Sequence, residues 1–352
     1  MSQKGMLICL FVFMVCVLAT SPQSVTAETL YVDSRNGCDT NQGTREKPLR
    51  TIGQAAVMVN KKTEPGPTVV KIAPGIYNLT ECVIFDNNRP YTEHDRLIIE
   101  ATFLPDDPNW NPALMPIILS TEDPRKPEEF SKRTETYSLK IKKSHATVRG
   151  VKFLGNPLLN NWHCCIERIG NNLDDLVVTQ CVFLGDRDCS DIYCATLAMG
   201  DRFVLDHCIF VNCHACAVFW DGMEGIAGKG CTMRYCIMDG SYISGVWTCK
   251  TAQDFEFHHN IVTGSEYLWM RRSGDQIKYS LRDCIVTDIR YYSGYGIESG
   301  PTGQTGPEVT FEENNIVKQG QIILERDKNA RKYLHVVKDG LGTNLSAGLF
   351  KK

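Results

Sequence analysis

Aromatic and charged residues recur together in the second half of the chain, and their chemistry suits a charged sugar. The aromatic residues are Phe219, Trp247 and Trp269, and the charged ones are Asp221, Lys250, Arg271, Arg272 and Glu298. Aromatic rings offer flat apolar faces, and arginine binds a planar carboxylate through two parallel hydrogen bonds. We therefore predict one binding surface for a sugar with carboxylates or sulfates, formed by Phe219, Asp221, Trp247, Trp269 and Glu298.

A short repeated phrase must position these residues. It reads Val-x-x-Cys, then two apolar residues and a turn, as in residues 178–185. Its central position returns every 24 to 31 residues, at Val151, Cys181, Cys208, Cys236, Asn260, Cys284 and Asn315. Such a period indicates stacked supersecondary units, and the short β-branched phrase is typical of a strand.

The repeat predicts an all-β fold, a parallel β-helix with one coil per repeat, over residues 28–320. Equivalent positions of successive coils then lie about 4.8 Å apart, so the central residues of the phrase form an inward ladder. Stacked helical repeats are the alternative, but the repeated segments are too short and too β-branched for helices.

A second strand in each coil contains the aromatic residues. Its apolar anchors, which we expect to point inward, are Leu197, Val218, Val246, Leu268 and Ile297. Because side chains alternate along a strand, the next residue in each coil should point outward, which predicts an exposed stripe of Phe219, Trp247 and Trp269. The alternative is that a long loop, at 82–135 or 291–306, covers these rings and makes them a satellite core.

The N-terminal 27 residues have the features of a secretory signal peptide. Lys4 precedes an apolar run over residues 6–19, and Val25-Thr26-Ala27 provides small residues before a cleavage site. We expect a secreted or periplasmic monomer without a membrane span in the mature chain. The formal net charge of −3 argues against nucleic acid as the partner.

The two ends of the predicted β-helix need covers, because open strand edges promote aggregation. Residues 28–60 should cap the first coil with a short amphipathic helix between Thr51 and Asn60. Residues 82–135 fit the repeat badly and contain proline-rich pieces, so we predict long loops there. Residues 321–352 should form a closing segment, with a strand pair and a polar tail, at the far end.

Three stretches near the N-terminus resemble the start of secreted right-handed parallel β-helix proteins. They are Tyr31-Val32-Asp33, residues 43–52 and residues 70–77. This start is shared by pectate-lyase-like proteins, including the chondroitinase B and alginate lyase family. The resemblance implies a right-handed parallel β-helix, and it is less informative about activity because one fold supports many functions.

The resemblance also implies candidate catalytic residues. The family has a catalytic lysine on one coil and a catalytic arginine on the next, and Lys250 matches the lysine while Arg271 or Arg272 matches the arginine. The implied reaction is β-elimination on a uronic-acid polysaccharide, with the lysine as base and the arginine neutralising developing charge. The family further implies calcium, but Ile243 and Gly245 stand where its acidic ligands are expected.

Other functions remain open. A non-catalytic carbohydrate-binding or cell-surface protein would keep the aromatic stripe without needing Lys250 or Arg271. Hydrolysis by Asp221 and Glu298 is disfavoured, because three coils separate them by about 14 Å, beyond the carboxylate spacing of glycosidases. Cys213-His214-Ala215-Cys216 has metal-like spacing, but a single CxxC pair is a weak signal, so we predict no metal or cofactor.

Six further cysteines gather just before the second strands of three coils: Cys164, Cys165, Cys189, Cys194, Cys213 and Cys216. Stacking of the coils should bring these corner positions within disulfide reach, so we predict at least one disulfide among them in an exported chain. The ladder cysteines should instead be free thiols, because their parallel Cβ directions do not suit a bridge.

Overall fold

The repeats fold into the predicted parallel β-helix. The structure, a computed structural model, describes residues 27–170, 172–220, 228–248, 254–271, 277–297, 300–301 and 309–351. Each coil adds one strand to each of three parallel sheets, which we call A, B and C in the order that the chain meets them. The predicted signal peptide lies outside the described residues, except for its last residue.

Sheet A is the longest of the three. Its strands are β1 (Glu28–Val32), β2 (Thr68–Ile72), β5 (Leu97–Ala101), β8 (Ala146–Arg149), β11 (Asp174–Thr179), β14 (Asp201–Asp206), β17 (Thr232–Arg234), β20 (Glu256–His258), the start of β22 (Ile277–Ile297) and β24 (Val309–Val317). All of these neighbours pair in parallel, so the chain makes a full turn between them.

Sheets B and C follow in each coil. Sheet B contains β3 (Ile76–Leu79), β6 (Ile117–Ser120), β9 (Lys152–Leu154), β12 (Val182–Leu184), β15 (Ile209–Val211), β18 (Ile237–Asp239) and parts of β21 (Ile261–Arg271) and β22. Sheet C contains β4 (Val83–Phe85), β7 (Thr134–Ile141), β10 (Asn161–Arg168), β13 (Cys194–Ala198), β16 (Ala215–Phe219), β19 (Ser244–Thr248) and the ends of β21 and β22. A two-residue strand, β23 (Gly300–Pro301), pairs antiparallel with β22.

The inward ladder lies at the tight corner between sheets A and B. Val151, Cys181, Cys208, Cys236, Asn260 and Cys284 are all buried there. The residue before each has a left-handed backbone with φ of 52° to 73°, which turns the chain sharply into sheet B. Backbone hydrogen bonds connect each rung to the next, such as Ile209 N–H to the carbonyl of Cys181 at 2.9 Å. The register predicted for these six residues is therefore confirmed.

Asn315 does not belong to the ladder. Its side chain is exposed, its φ is 56°, and Ile316 is the residue that pairs with Cys284. Asn315 therefore occupies the left-handed corner position that Asp283 has one coil earlier. The prediction failed by one residue, because asparagine is common both in ladders and in left-handed turns.

Every cysteine that the structure describes is a free thiol, which does not bear out the predicted corner disulfide. Cys164 and Cys194 pair across neighbouring parallel strands, so their Cβ directions are parallel, as in the ladder. Cys165, Cys213 and Cys216 instead point into the interior core, and Cys189 is exposed. The six side chains therefore point in different directions, and four of the six residues stand within strands of sheet C.

A short helix, α1 (Ile52–Asn60), packs beside the first coil. The Oγ1 atom of Thr51 accepts a hydrogen bond from the backbone N–H of Gln54 at 3.0 Å, which caps the first turn. Ile52, Ala55, Ala56 and Val59 are buried in the main core. Its role as an end cap stays a prediction. The helices among the described residues are all too short or too polar to cross a bilayer.

Residues 82–135 do not form the predicted long loops, because they continue the coils through β4, β5 and β6. Proline-rich turns, including short 3₁₀ helices at Pro112–Leu114 and Pro127–Glu129, separate these strands and hide the period in the sequence.

The C-terminal segment, residues 322–351, runs along the outer face of sheet B instead of only closing the far end. It contains a 3₁₀ helix at Thr343–Leu345 and one antiparallel bridge between Leu324 and Val336. Its leucines join one apolar cluster with the outward side chains of sheet B, namely Val182, Ile209, Ile237, Ile261 and Ile285. The C-terminal segment thus shields the outward apolar side chains of sheet B from solvent.

Arg331 connects the C-terminal segment to the loop between β5 and β6 by hydrogen bonds. Its guanidinium donates to four backbone carbonyls within residues 105–110, at 2.7 to 3.2 Å. We expect Arg331→Ala to lower the free energy of unfolding by about 1–2 kcal/mol, because charge-assisted hydrogen bonds contribute more than neutral ones. Urea denaturation measures this, with Arg326→Ala as the matched control. Arg326 makes one exposed ion pair with Asp239, at 2.6 Å, so that variant should change little. Equal losses in the two variants would contradict the prediction.

Candidate functional site

The predicted aromatic stripe is wrong for two of its three rings. Phe219 and Trp269 point into the interior core, with 6% and 0% of their surface exposed. Trp247 does point outward from sheet C, but an outer apolar cluster buries it to 6%. These rings form no open surface for a ligand. Only Trp247 lies in a satellite core, as the alternative predicts, and the other two rings belong to the main interior core.

The error comes from the assumption of strict alternation. In several sheet C strands two consecutive residues face the interior: Cys165 and Ile166 in β10, Cys216 and Ala217 in β16, and Leu268 and Trp269 in β21. Val218 therefore pairs with Trp247, while Val246 pairs with Trp269. The chosen anchors mix both faces, since Leu197 and Val218 belong to the outer cluster and Val246 and Leu268 to the interior.

The structure also removes Arg271 from the candidate catalytic residues. It follows Phe219 and Thr248 in the same inward register position, and only 1% of its surface is exposed. An interior guanidinium cannot contact a polymer outside the β-helix. The other candidates, Asp221, Lys250, Arg272 and Glu298, lie outside the described residues.

The positions expected for calcium ligands do not fit a cation. Ile243 packs against the outer apolar cluster of sheet C. A Cβ atom on Gly245 would lie 3.2 Å from the carbonyl oxygen of Leu268 and 3.3 Å from the sulfur of Met238, so this position faces packed core. Calcium requires several oxygen ligands, and neither side chain has one.

A different row of aromatic side chains is open to solvent. It lies at the corner where the chain enters sheet C, and successive coils contribute its four half-buried members, Trp162, Tyr193, His214 and Tyr242. We call this row the aromatic file. The ring centroids of successive members are 4.6, 4.3 and 5.1 Å apart. The first pair is stacked at 14°, and the later pairs are tilted by 52° and 56°.

An arginine lies over each end of the aromatic file. The guanidinium of Arg133 is 3.6 Å from the ring centroid of Trp162, and that of Arg187 is 5.4 Å from the centroid of Tyr242. Both arginines are exposed, and neither forms an ion pair with a described carboxylate. Cation–π contacts hold the guanidinium planes at the rings and leave their N–H donors free for an anion.

A carboxylate anchors the last ring. The Tyr242 hydroxyl donates a hydrogen bond to Oδ1 of Asp191. Burial raises the pKa of the Asp191 carboxyl group. Burial and the same carboxylate raise the pKa of Tyr242. Burial, with a smaller effect of Arg187, lowers the pKa of His214 to about 4. At neutral pH the file therefore contains a neutral imidazole and a protonated phenol.

The aromatic file leads into a pocket of about 540 Å³ on the following coils. Its charged lining is Arg187, Glu266, Asp288, Arg290 and Lys318. Arg290 pairs with Glu266 at 2.9 Å, and Lys318 pairs with Glu313 at 2.6 Å. Among these cations, Arg187 alone has no carboxylate partner within the described part of the chain.

Tyr193, His214 and Tyr242 precede the strands of sheet C, and Trp162 lies near the start of β10, so none of the four stands at the repeated strand positions that the sequence pattern emphasises. The overlooked signal is the position just before β13 and β16, where Tyr193 and His214 stand in successive coils. Register alone could have found them, since Cys194 pairs with Ala215 and so places the two rings side by side.

Comparisons with known proteins support the fold. A family model described as "Protein of unknown function (DUF1565)" matches residues 35–85. No curated protein matches the chain. A solved structure named rhamnogalacturonan lyase is 12% identical with a TM-score of 0.54, over 83% of this chain and 75% of that one. A pectin methylesterase from Aspergillus niger, in deglycosylated form, is 12% identical with a TM-score of 0.47, over 91% and 94%.

At 12% identity the likeness to the rhamnogalacturonan lyase concerns the fold alone. It agrees with the strand pairing above, and the narrower resemblance to chondroitinase B and alginate lyase stays a prediction. The chain therefore has a parallel β-helix of the kind found in the rhamnogalacturonan lyase.

Proposed function

We propose that this chain is an exported protein that binds an extended acidic polysaccharide along the aromatic file and into the adjoining pocket. The observation that supports this most is the alignment of four half-buried rings on successive coils, with an arginine at each end. Three steps between coils make the file about 14 Å long, which suits a polymer and exceeds a single sugar.

The chemistry of the lining favours an anionic sugar. The half-buried rings offer apolar surface to a sugar, while Arg133 and Arg187 offer donors for carboxylates. A neutral sugar would leave both guanidinium groups without a partner. The pocket adds Arg290 and Lys318, whose carboxylate partners Glu266 and Glu313 are exposed enough to exchange for a ligand carboxylate.

The name of the structural neighbour, a rhamnogalacturonan lyase, supports the polysaccharide class. A lyase reaction on uronate units is the catalytic form of this proposal. The predicted roles of Lys250 and Arg272 stay part of it, whereas Arg271 is excluded by its burial. Non-catalytic binding is the alternative form, and both use the same groove.

Affinity electrophoresis in gels that contain polygalacturonate, alginate, chondroitin sulfate or a neutral glucan tests this proposal. We expect at least one acidic polymer, but not the glucan, to retard the protein. Tyr193→Ala should weaken retardation, because its ring lies in the middle of the file. Arg282→Ala is the control, since Arg282 is an exposed cation on sheet A. Equal retardation of both variants, or retention by the glucan alone, would refute the proposal.

A further inference from the structure

A base, an acid and a free guanidinium meet at one end of the aromatic file. Resting on the proposed function, we propose that His214 and Tyr242 catalyse β-elimination on a uronate whose carboxylate is bound by Arg187. The three residues reach this place from different coils. Arg187 comes from the turn after β12, His214 stands just before β16, and Tyr242 stands before β19.

His214 has the properties of a base. Its ring lies between Tyr193 and Tyr242, with centroids at 4.3 and 5.1 Å, so its orientation is fixed by packing. Neither ring nitrogen has a hydrogen-bond partner among the described residues, and the side chain is only half-buried. Burial lowers the pKa of His214 to about 4, so the free imidazole is neutral with one nitrogen lone pair available, and a bound uronate carboxylate would raise this pKa toward the range in which a base works best.

Tyr242 has the properties of the matching acid. Its hydroxyl is oriented by Asp191, and its raised pKa keeps the proton in place until a stronger base appears. The oxygen that leaves a sugar ring during elimination is such a base. Tyr242 also lines the 540 Å³ pocket, so a polymer that enters the pocket passes this hydroxyl.

Arg187 supplies the charge that the reaction requires. The proton on C5 of a uronate becomes removable only when the neighbouring carboxylate is stabilised as charge moves onto it. Arg187 lies over Tyr242 and is close enough to influence the pKa values of both His214 and Asp191, and it forms no direct ion pair with a described carboxylate. A bidentate contact with the uronate carboxylate would place C5 near His214.

The step balances without a further reactant. A nitrogen of His214 takes the C5 proton, and the C–H electron pair becomes the C4–C5 double bond. The C4–O4 bond breaks, its electron pair stays on the leaving oxygen, and that oxygen takes the proton of Tyr242. Proton return from the imidazolium to the phenolate restores both groups. The products are an unsaturated uronate end and a new hydroxyl end.

The test measures ultraviolet absorbance of unsaturated ends during digestion of the acidic polymer that binds best. We expect His214→Gln and Tyr242→Phe to lower kcat by about 100-fold or more, the usual contribution of a positioned acid or base. Tyr242→Phe keeps its ring, so its affinity in gels should stay within about threefold of wild type, and kcat at saturating polymer separates turnover from binding in both variants. His94→Gln, an exposed histidine beside sheet A, is the matched control and should keep full turnover. Melting curves establish that each variant is folded.

Three outcomes separate this inference from the proposed function. Binding without any unsaturated product in the wild type would overturn the inference and leave the proposed function standing. Loss of turnover in Lys250→Ala together with full turnover in His214→Gln would also overturn it, and would return the reaction to the lysine that the sequence indicates. Absence of binding to every acidic polymer would refute the proposed function itself.

Discussion

Replacement of Trp269 by alanine is expected to lower the free energy of unfolding by about 3–5 kcal/mol, the usual cost of truncating a buried large aromatic. The indole is fully buried, stacks on Tyr279 at 4.3 Å and donates to Oγ1 of Thr248 at 3.0 Å. Truncation leaves a cavity and a buried hydroxyl with one partner fewer. Urea denaturation followed by circular dichroism measures this loss.

Trp162→Ala is the matched control for this experiment. Trp162 is half-buried in the aromatic file, so its removal should cost less stability than removal of Trp269 and should weaken polysaccharide binding more. Trp269→Ala should thus lower mainly the stability, and Trp162→Ala should lower mainly the affinity for the polysaccharide. The reverse result, a stable Trp269→Ala protein with impaired binding, would restore the exposed stripe that the sequence suggests.

Arg187→Ala should weaken binding of the acidic polymer by about 10- to 100-fold, because a charge-assisted bidentate contact contributes about 1.5–3 kcal/mol. Arg187→Lys should recover part of this loss, since lysine keeps the charge but not the planar pair of donors. Arg282→Ala removes an equal charge from sheet A and should leave affinity nearly unchanged. Titration calorimetry at two salt concentrations measures these effects.

Salt provides a further control for Arg187. The wild-type affinity should fall as salt rises, because the contact lies at the surface and is screened. The Arg187→Ala protein should show a weaker dependence on salt. If Arg187→Ala and Arg282→Ala lose the same affinity, binding depends on overall charge, and the specific role of Arg187 is refuted.

The fold was predictable because its signal repeats. Each coil contains the same phrase, so the ladder of Cys181, Cys208 and Cys236 can be aligned from the sequence alone. The position of α1 was readable for a similar reason, since an apolar helical period follows the capping residue Thr51. One misplaced residue, Asn315, shows the limit of the phrase where the repeat ends.

The candidate site was not predictable in the same way. Strict alternation is a property of regular strands, and the sheet C strands break it by turning two consecutive residues inward. Because of this irregularity, Trp269 and Arg271 lie in the core, although strict alternation predicts that they lie at the surface. The aromatic file lies at a corner, where sequence periodicity says little about direction, so Tyr193 and His214 became visible only through strand register.

The most direct test of the account follows the indole N–H signals of the five tryptophans while an acidic oligosaccharide is added. Substitution of single tryptophans assigns the signals. If the ligand lies on the aromatic file, the Trp162 signal shifts progressively to saturation and the signal of the buried Trp269 does not move. A shift of Trp269 with an unmoved Trp162, or five unmoved signals at a saturating concentration, would contradict the proposed binding groove.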